Sequence, residues 1–282
     1  MILFIAIVSF IGWFVGEYFF YDGGTLFLGF ALIISGISSF ISYYNSDKMV
    51  LAISKAKEVS YEEAPNLHKL VENMCIASGI PKPKVYVIND SAMNAFATGR
   101  NPEHGVICFT TGIIGGLEKR ELEGVVAHEM SHIGNYDTRL MSIVSILVGS
   151  ITLLANWFTR GMFYRGRGRR RSNSSVSGII LLIGIVFLIL SPVIATLIKL
   201  AISRKREFLA DSTAALITRY PKGLASALKK LGADREILEV ANGATAHLYI
   251  DDPVSGRVNS KLANLFNTHP PIEERVRRLE SM

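Results

Sequence analysis

The chain has 282 residues, of which 49% are hydrophobic, and a formal net charge of +6; its mean hydropathy is +0.32. That is too apolar for an ordinary soluble protein, and the excess is gathered in blocks long enough to cross a membrane. Much of the positive charge sits in one arginine-rich stretch, residues 160–175, with no nucleic-acid motif beside it, so acidic lipid headgroups fit it and nucleic acid is not expected as a partner.

In chain order, Ile2–Phe20 is an apolar run whose only charge is Glu17, and Gly23–Ser46 is uncharged throughout. Each is long enough to cross a hydrocarbon core of about 30 Å as a helix. The Tyr21-Asp22-Gly23-Gly24 turn joins them into a hairpin, residues 1–44. A signal peptide would show a basic n-region and a small-residue cleavage site, and the run has neither. Glu17 is expected to snorkel or to face other helices.

Residues 45–139 are more polar and carry their own apolar pattern. Lys84–Asp90 and Gly105–Thr111 are rich in β-branched residues, which predicts a small sheet, with Asn94–Gly99 between the two strands. Cys75 and Cys108 form no C-x-x-C pair and are read as reduced core residues. Next comes His128-Glu129-Met130-Ser131-His132, an H-E-x-x-H sequence. Two histidines four apart share one helix face, so both imidazoles reach one metal, and Glu129 is placed to take a proton from an attacking water. Glu118, Glu121 and Glu123 suit the start of this helix, and Gly134 suits its end. The other reading of the motif is two surface histidines on an ordinary helix.

Residues 140–202 hold a second apolar pair. Leu140–Thr159 is uncharged between Arg139 and Arg160, and Ser172–Ile198 is uncharged and strongly apolar from Ile179, so residues 140–159 and 176–198 are expected to span; a buried core helix pair is the alternative. Four spans put both polar regions on one side. Lys48, Lys55 and Lys57 after the second span and Arg204, Lys205 and Arg206 after the fourth make that side cytoplasmic, whereas Arg160, Arg165, Arg167, Arg169, Arg170 and Arg171 vote the other way. The first hairpin usually sets topology, so it takes precedence.

Residues 203–282 must supply the third metal ligand, since a catalytic zinc takes three protein ligands and leaves one position open. Glu207, on a helix expected to continue from the fourth span, is the candidate. Asp211 lies one turn later on the same face, where it could hold a ligand imidazole by its free N–H. A solvated i,i+4 acid pair is the bland reading of these two.

These features together resemble the HtpX family of membrane zinc metalloproteases, relatives of the CAAX prenyl endoproteases. The resemblance covers essentially the whole chain. It rests on the N-terminal hairpin, Asn94-Ala95-Phe96-Ala97-Thr98-Gly99, Thr110-Thr111-Gly112, His128–His132 with Asn135 and Asp137, Glu207–Asp211, Ala246-His247-Leu248, and Thr268-His269-Pro270-Pro271 with Arg275. It implies a mainly α protein, a zincin-type α+β metalloprotease domain with a small β-sheet joined to about four transmembrane helices. It implies one Zn2+ per chain on His128, His132 and Glu207, with Glu129 as the base. The implied activity is an endopeptidase of the cell membrane, its active site facing the cytoplasm, that cleaves misfolded or damaged membrane proteins within the lipid bilayer's reach. By the same resemblance Ala95 and Ala97 mark a sheet edge for extended substrate, their small side chains leaving room for the peptide; the other reading of Asn94–Gly99 is a plain loop with Gly99 at a turn. Asn94 belongs to that segment. Asn135 and Asp137 read either as groups supporting the ligands or as helix-end caps. His247 reads as an oxyanion or alternative zinc contact, or as an exposed loop histidine. His269 is read as structural, and His68 and His104 as surface residues. A non-proteolytic zinc-bearing scaffold or chaperone is a second reading, disfavoured by Glu129. A prenyl-protein endoprotease is a third, disfavoured by four spans at most.

Overall fold

The apolar N-terminus folds as two helices, α1 (Ile2–Phe19) and α2 (Gly24–Ile53). The computed structural model describes residues 2–19, 23–144, 204–234, 236, 238–239, 245, 248–250 and 270–282. These fall into two compact units, one reaching Ser46 and the other running from Asp47 onward.

In the first unit α1 and α2 show apolar side chains outward, among them Phe10, Leu26, Ile33 and Phe40. Ser35 keeps its hydroxyl satisfied by donating to Ala31 O at 2.6 Å, the way a polar group is tolerated on an apolar helix. Among the described residues one helix is long and apolar enough to cross a membrane, the Gly24–Ile41 part of α2; Phe4–Phe14 of α1 forms a shorter apolar helix. Four such helices were expected. The run 140–159 lies outside the described residues from residue 145, and the run 176–198 lies wholly outside them, as does the arginine-rich loop. At the described start of the third run, residues 137–144 are helical, and Met141, Ser142 and Val144 are buried.

At Asn45 the backbone leaves helical geometry (φ −124°, ψ 15°) within α2. Beyond it, Val50 and Leu51 are buried in the second unit, beside Ile88, Phe96, Cys108 and Tyr249.

The second unit is built on four strands in the order β1-β2-β4-β3. Strand β1 (Lys57–Glu58) is antiparallel to β2 (Lys84–Ile88), β2 is parallel to β4 (Val106–Thr110), and β4 is antiparallel to β3 (Ala95–Thr98). Both strands expected from β-branched composition form, slightly shorter than their runs. Every residue of β4 is buried, the pattern of a strand covered on both faces. Ala95, Ala97, Ile107 and Phe109 belong to the larger core, and Phe96, Val106 and Cys108 to a smaller one. Gly99 ends β3 at φ +133°, where a Cβ would lie 2.4 Å from His104 O, so a side chain there is excluded.

The larger core is helical. Helix α3 (Pro65–Ser78) has proline in its first turn and ends on left-handed Gly79. After α4 (Thr111–Gly116), α5 (Lys119–Gly134) runs through the centre, flanked by α3, α6 (Arg204–Thr218) and α7 (Pro221–Ala233), and α8 (Ile272–Glu280) closes on α6 and α7. The amphipathic α8 buries Val276 and Leu279, as its spacing predicts. His68 departs from expectation. It is buried on α3, and its Nε2 lies 3.0 Å from Val59 O, which anchors the chain after β1 rather than facing water. Cys108 is buried and Cys75 half-buried, neither in a disulfide.

Candidate metal centre

Helix α5 begins at Glu118, whose N–H donates to the Glu121 carboxylate at 2.7 Å, half of a capping box. Glu121 also accepts from Ser226 and Lys230 of α7, both at 2.6 Å, and so fixes the start of the helix that carries His128 and His132. Asn135 caps the other end, and its amide donates to Ser131 Oγ at 3.3 Å. That is a helix-end role. Tyr136 then adopts a left-handed conformation (φ 59°), which turns the chain into residues 137–144 and brings Asp137 to His132.

His128, Glu129 and His132 are all buried on α5, as is Glu207 on α6. One ligand atom from each of His128, His132 and Glu207 lies within 4.8 Å of the others. The two Nε2 atoms are 3.2 Å apart; Glu207 Oε2 is 3.7 Å from His128 Nε2, and Glu207 Oε1 is 3.4 Å from His132 Nε2. Two imidazoles and one carboxylate, converging out of water, fit a zinc ion with three protein ligands and an open position. Glu129 lies close enough for its charge to act on His132 and Arg275.

Each histidine is held from behind by a second carboxylate. His128 Nδ1 is 3.0 Å from Asp211 Oδ1, and His132 Nδ1 is 3.1 Å from Asp137 Oδ2. Donation from Nδ1–H leaves each Nε2 lone pair for the metal. Each carboxylate in turn meets a guanidinium. Asp137 pairs with Arg206, and Asp211 takes a forked pair of bonds from Arg275, Nε at 2.9 Å and Nη2 at 2.7 Å. Neither arginine was assigned this role from sequence. Arg206 read as a charge flanking a span, and Arg275 as one marker of a C-terminal motif. A basic residue one position before a ligand, and one on the last helix, were the only signals.

Burial pushes His128 below its ordinary pKa, offset only in part by Asp211. Burial acts the same way on His132, but the Glu207 charge and hydrogen bonds to Asp137 and Glu207 outweigh it and carry the ring up to about 10. Burial also disfavours a charged Asp211, yet the Arg275 charge and the bonds from His128 and Arg275 bring it down to about 2.

The edge strand lies alongside α5. Thr110 N donates to Asn94 O at 3.0 Å, and antiparallel alternation then turns the backbone groups of Ala95 and Ala97 away from β4, to the outer side of the strand. Ala95 O already accepts there from Ile250 N at 2.9 Å. The side chains of Ala95 and Ala97 do not leave room for a peptide. They are buried in the core shared with Val125, Val126 and Met130, where small size lets α5 approach the sheet. Asn94 is buried, and its Oδ1 accepts from Ala95 N at 3.0 Å, which steadies the strand's start. His104 is exposed, as expected; His247 and His269 lie outside the described residues.

The model of peptidase family M48 matches residues 61–282. The chain belongs to that family. It is 47% identical over 246 residues to a protease HtpX homolog of Dictyoglomus thermophilum, covering 86% of this chain and 78% of that protein. It is 44% identical over 284 residues to a protease HtpX homolog of Caldanaerobacter subterraneus subsp. tengcongensis, covering 99% and 93%. Among solved structures it is similar to S. mikatae Ste24p, with a TM-score of 0.50 and 16% identity over 97% of this chain and 61% of that one. At that identity the likeness concerns the fold. This M48 chain is therefore a metalloprotease, mostly helical with a small mixed sheet.

Proposed function

We propose that this M48 chain is a membrane-anchored, zinc-dependent endopeptidase that cleaves cytosol-facing segments of misfolded or damaged membrane proteins. The observation that carries the reading is the buried His128–His132–Glu207 donor set with Glu129 beside it. When bound, zinc supplies a Lewis acid that polarises the scissile carbonyl and acidifies a water toward a pKa of about 7. Glu129 accepts the proton as that water attacks and returns it to the leaving amine, so no covalent acyl-enzyme is needed. Asp211 and Asp137 keep both imidazoles in the ligand tautomer. The outward backbone groups of Ala97 offer an extended peptide a strand to pair with. Membrane anchoring is supported by the apolar α2 and by the uncharged runs of the sequence. A purely structural metal site gains nothing from a buried acid at Glu129, which weighs against a scaffold.

The test is casein digestion by the purified full chain with and without chelator, beside Glu129→Gln. Chelator should abolish digestion. Glu129→Gln should lower it about 10²- to 10⁴-fold while zinc stays bound. Digestion that survives in Glu129→Gln would remove the endopeptidase reading. Comparing membrane fractions from cells with active enzyme and with Glu129→Gln then identifies substrates.

A further inference from the structure

Arg275 has a fully buried side chain, on the last helix of the chain. A buried guanidinium is weak evidence for stability, since apolar residues of like volume fill such a place as well. Its surroundings show what it is aimed at. Nε and Nη2 fork onto the two oxygens of Asp211, at 2.9 and 2.7 Å. The oxygen that takes Nη2 is the one 3.0 Å from His128 Nδ1. Nη2 is also nearly equidistant from both nitrogens of His128, 3.5 and 3.4 Å, and so sits on neither. Nη1 lies 3.4 Å from Ile250 O and 3.7 Å from Glu207 Oε2. Ile250 in turn donates to Ala95 on the edge strand.

Asp211 is one helical turn from Glu207, on the same face of α6. An unrestrained carboxylate there could swing off the Nδ1–H toward the metal, which would leave the ligand imidazole without the partner that orients it and crowd the position that water needs. We infer that Arg275 is the positioning residue of the metal centre: its fork holds Asp211 turned toward His128 Nδ1 and away from the metal. Asp211 thereby orients a ligand rather than becoming one. The link through Ile250 ties the same guanidinium to the edge strand. This inference rests on the zinc site proposed above.

The experiment uses the full chain with Arg275→Met, Arg275→Lys, Asp211→Asn, the Arg275→Met/Asp211→Asn pair and Val276→Ala. Zinc affinity is read by chelator competition, the ligand set by the visible spectrum of the cobalt(II)-substituted protein, and stability by thermal unfolding of the metal-free form. Arg275→Met should weaken zinc 10- to 100-fold and change the cobalt spectrum. The double variant should bind no more weakly than Asp211→Asn alone, because one residue acts through the other. Arg275→Lys keeps the charge but cannot fork, so it should fall between wild type and Arg275→Met. Val276→Ala loses core packing on the same helix and should unfold earlier with wild-type zinc affinity. Wild-type affinity and spectrum in Arg275→Met, or losses that add in the double variant, would overturn the inference alone. If Arg275→Met does not fold, wild-type affinity in Arg275→Lys overturns it equally. Absence of zinc from the wild type overturns the functional reading and this inference with it.

Discussion

His132 and His128 occupy one helix face, yet their surroundings push them apart. Burial lowers His128, while Glu207 and Asp137 carry His132 up to about 10. In the metal-free chain His132 is therefore expected to hold a proton, shared with Glu207, at neutral pH. A folded-state value above the unfolded one stabilises the fold fully below about pH 6.5, and that contribution is lost as pH rises through about 10. Zinc must displace this proton. Apparent zinc affinity should thus rise about tenfold per pH unit between pH 7 and 9, with about one proton released per zinc. Calorimetry in buffers of different ionisation enthalpy measures that proton. Affinity that is flat above pH 7 would show that His132 titrates as an ordinary histidine. In Asp137→Asn the pH dependence should weaken, because one of the groups that favour the charged ring is gone. The ligand residues were legible because their relation is local: i,i+4 on one helix and a paired acid on another. Asp137 stayed ambiguous, since a polar residue just after a helix reads equally as a cap. Arg275 was opaque because its partners come from other elements, Asp211 lying 64 positions away and His128 147.

The elements are positioned by close backbone approach as much as by side chains. Gly124 on α5 faces α7, and a Cβ there would lie 2.7 Å from Leu224 N and 2.9 Å from its Cα. A backbone neighbour cannot swing aside, so the two helices would have to separate. Gly124→Ala gains helix propensity but forces that separation, and it should destabilise by about 1–3 kcal/mol. Since Gly124 is one turn from His128, the same shift should lower peptidase rate. Thermal unfolding and casein digestion of Gly124→Ala check both, and a variant as stable as wild type would show that α7 accommodates the methyl group. The sequence marked the helix but not this contact, because an isolated glycine in a helical pattern has several explanations. It likewise marked strands β2 and β4 by β-branched residues. The reason for Ala95 and Ala97 came only with the sheet register, which sends their backbone to the side away from β4 and their side chains under α5.

At the scale of the whole molecule, the α+β protease unit was legible and the membrane topology was not. Long apolar runs state their length but not their orientation, and charge counts conflict here. Lys48, Lys55 and Lys57 follow the second run and favour the cytoplasm, whereas five arginines between residues 165 and 171 fall on the opposite side if all four runs span. The early hairpin inserts first and carries only Asp22 in its turn, so its vote should prevail. A membrane-impermeant maleimide applied to intact cells should then label Asp22→Cys. It should not label Glu103→Cys, an exposed position of the protease unit, until the membrane is opened. Cys108 is fully buried and its thiol is held well above the ordinary range by burial, so its background reactivity is low. Half-buried Cys75, also raised chiefly by burial, should be replaced by serine first. Labelling of Glu103→Cys in intact cells would place the protease unit outside. The arginine-rich stretch, rather than the hairpin, would then set the orientation, and substrates would have to be sought among extracytoplasmic segments.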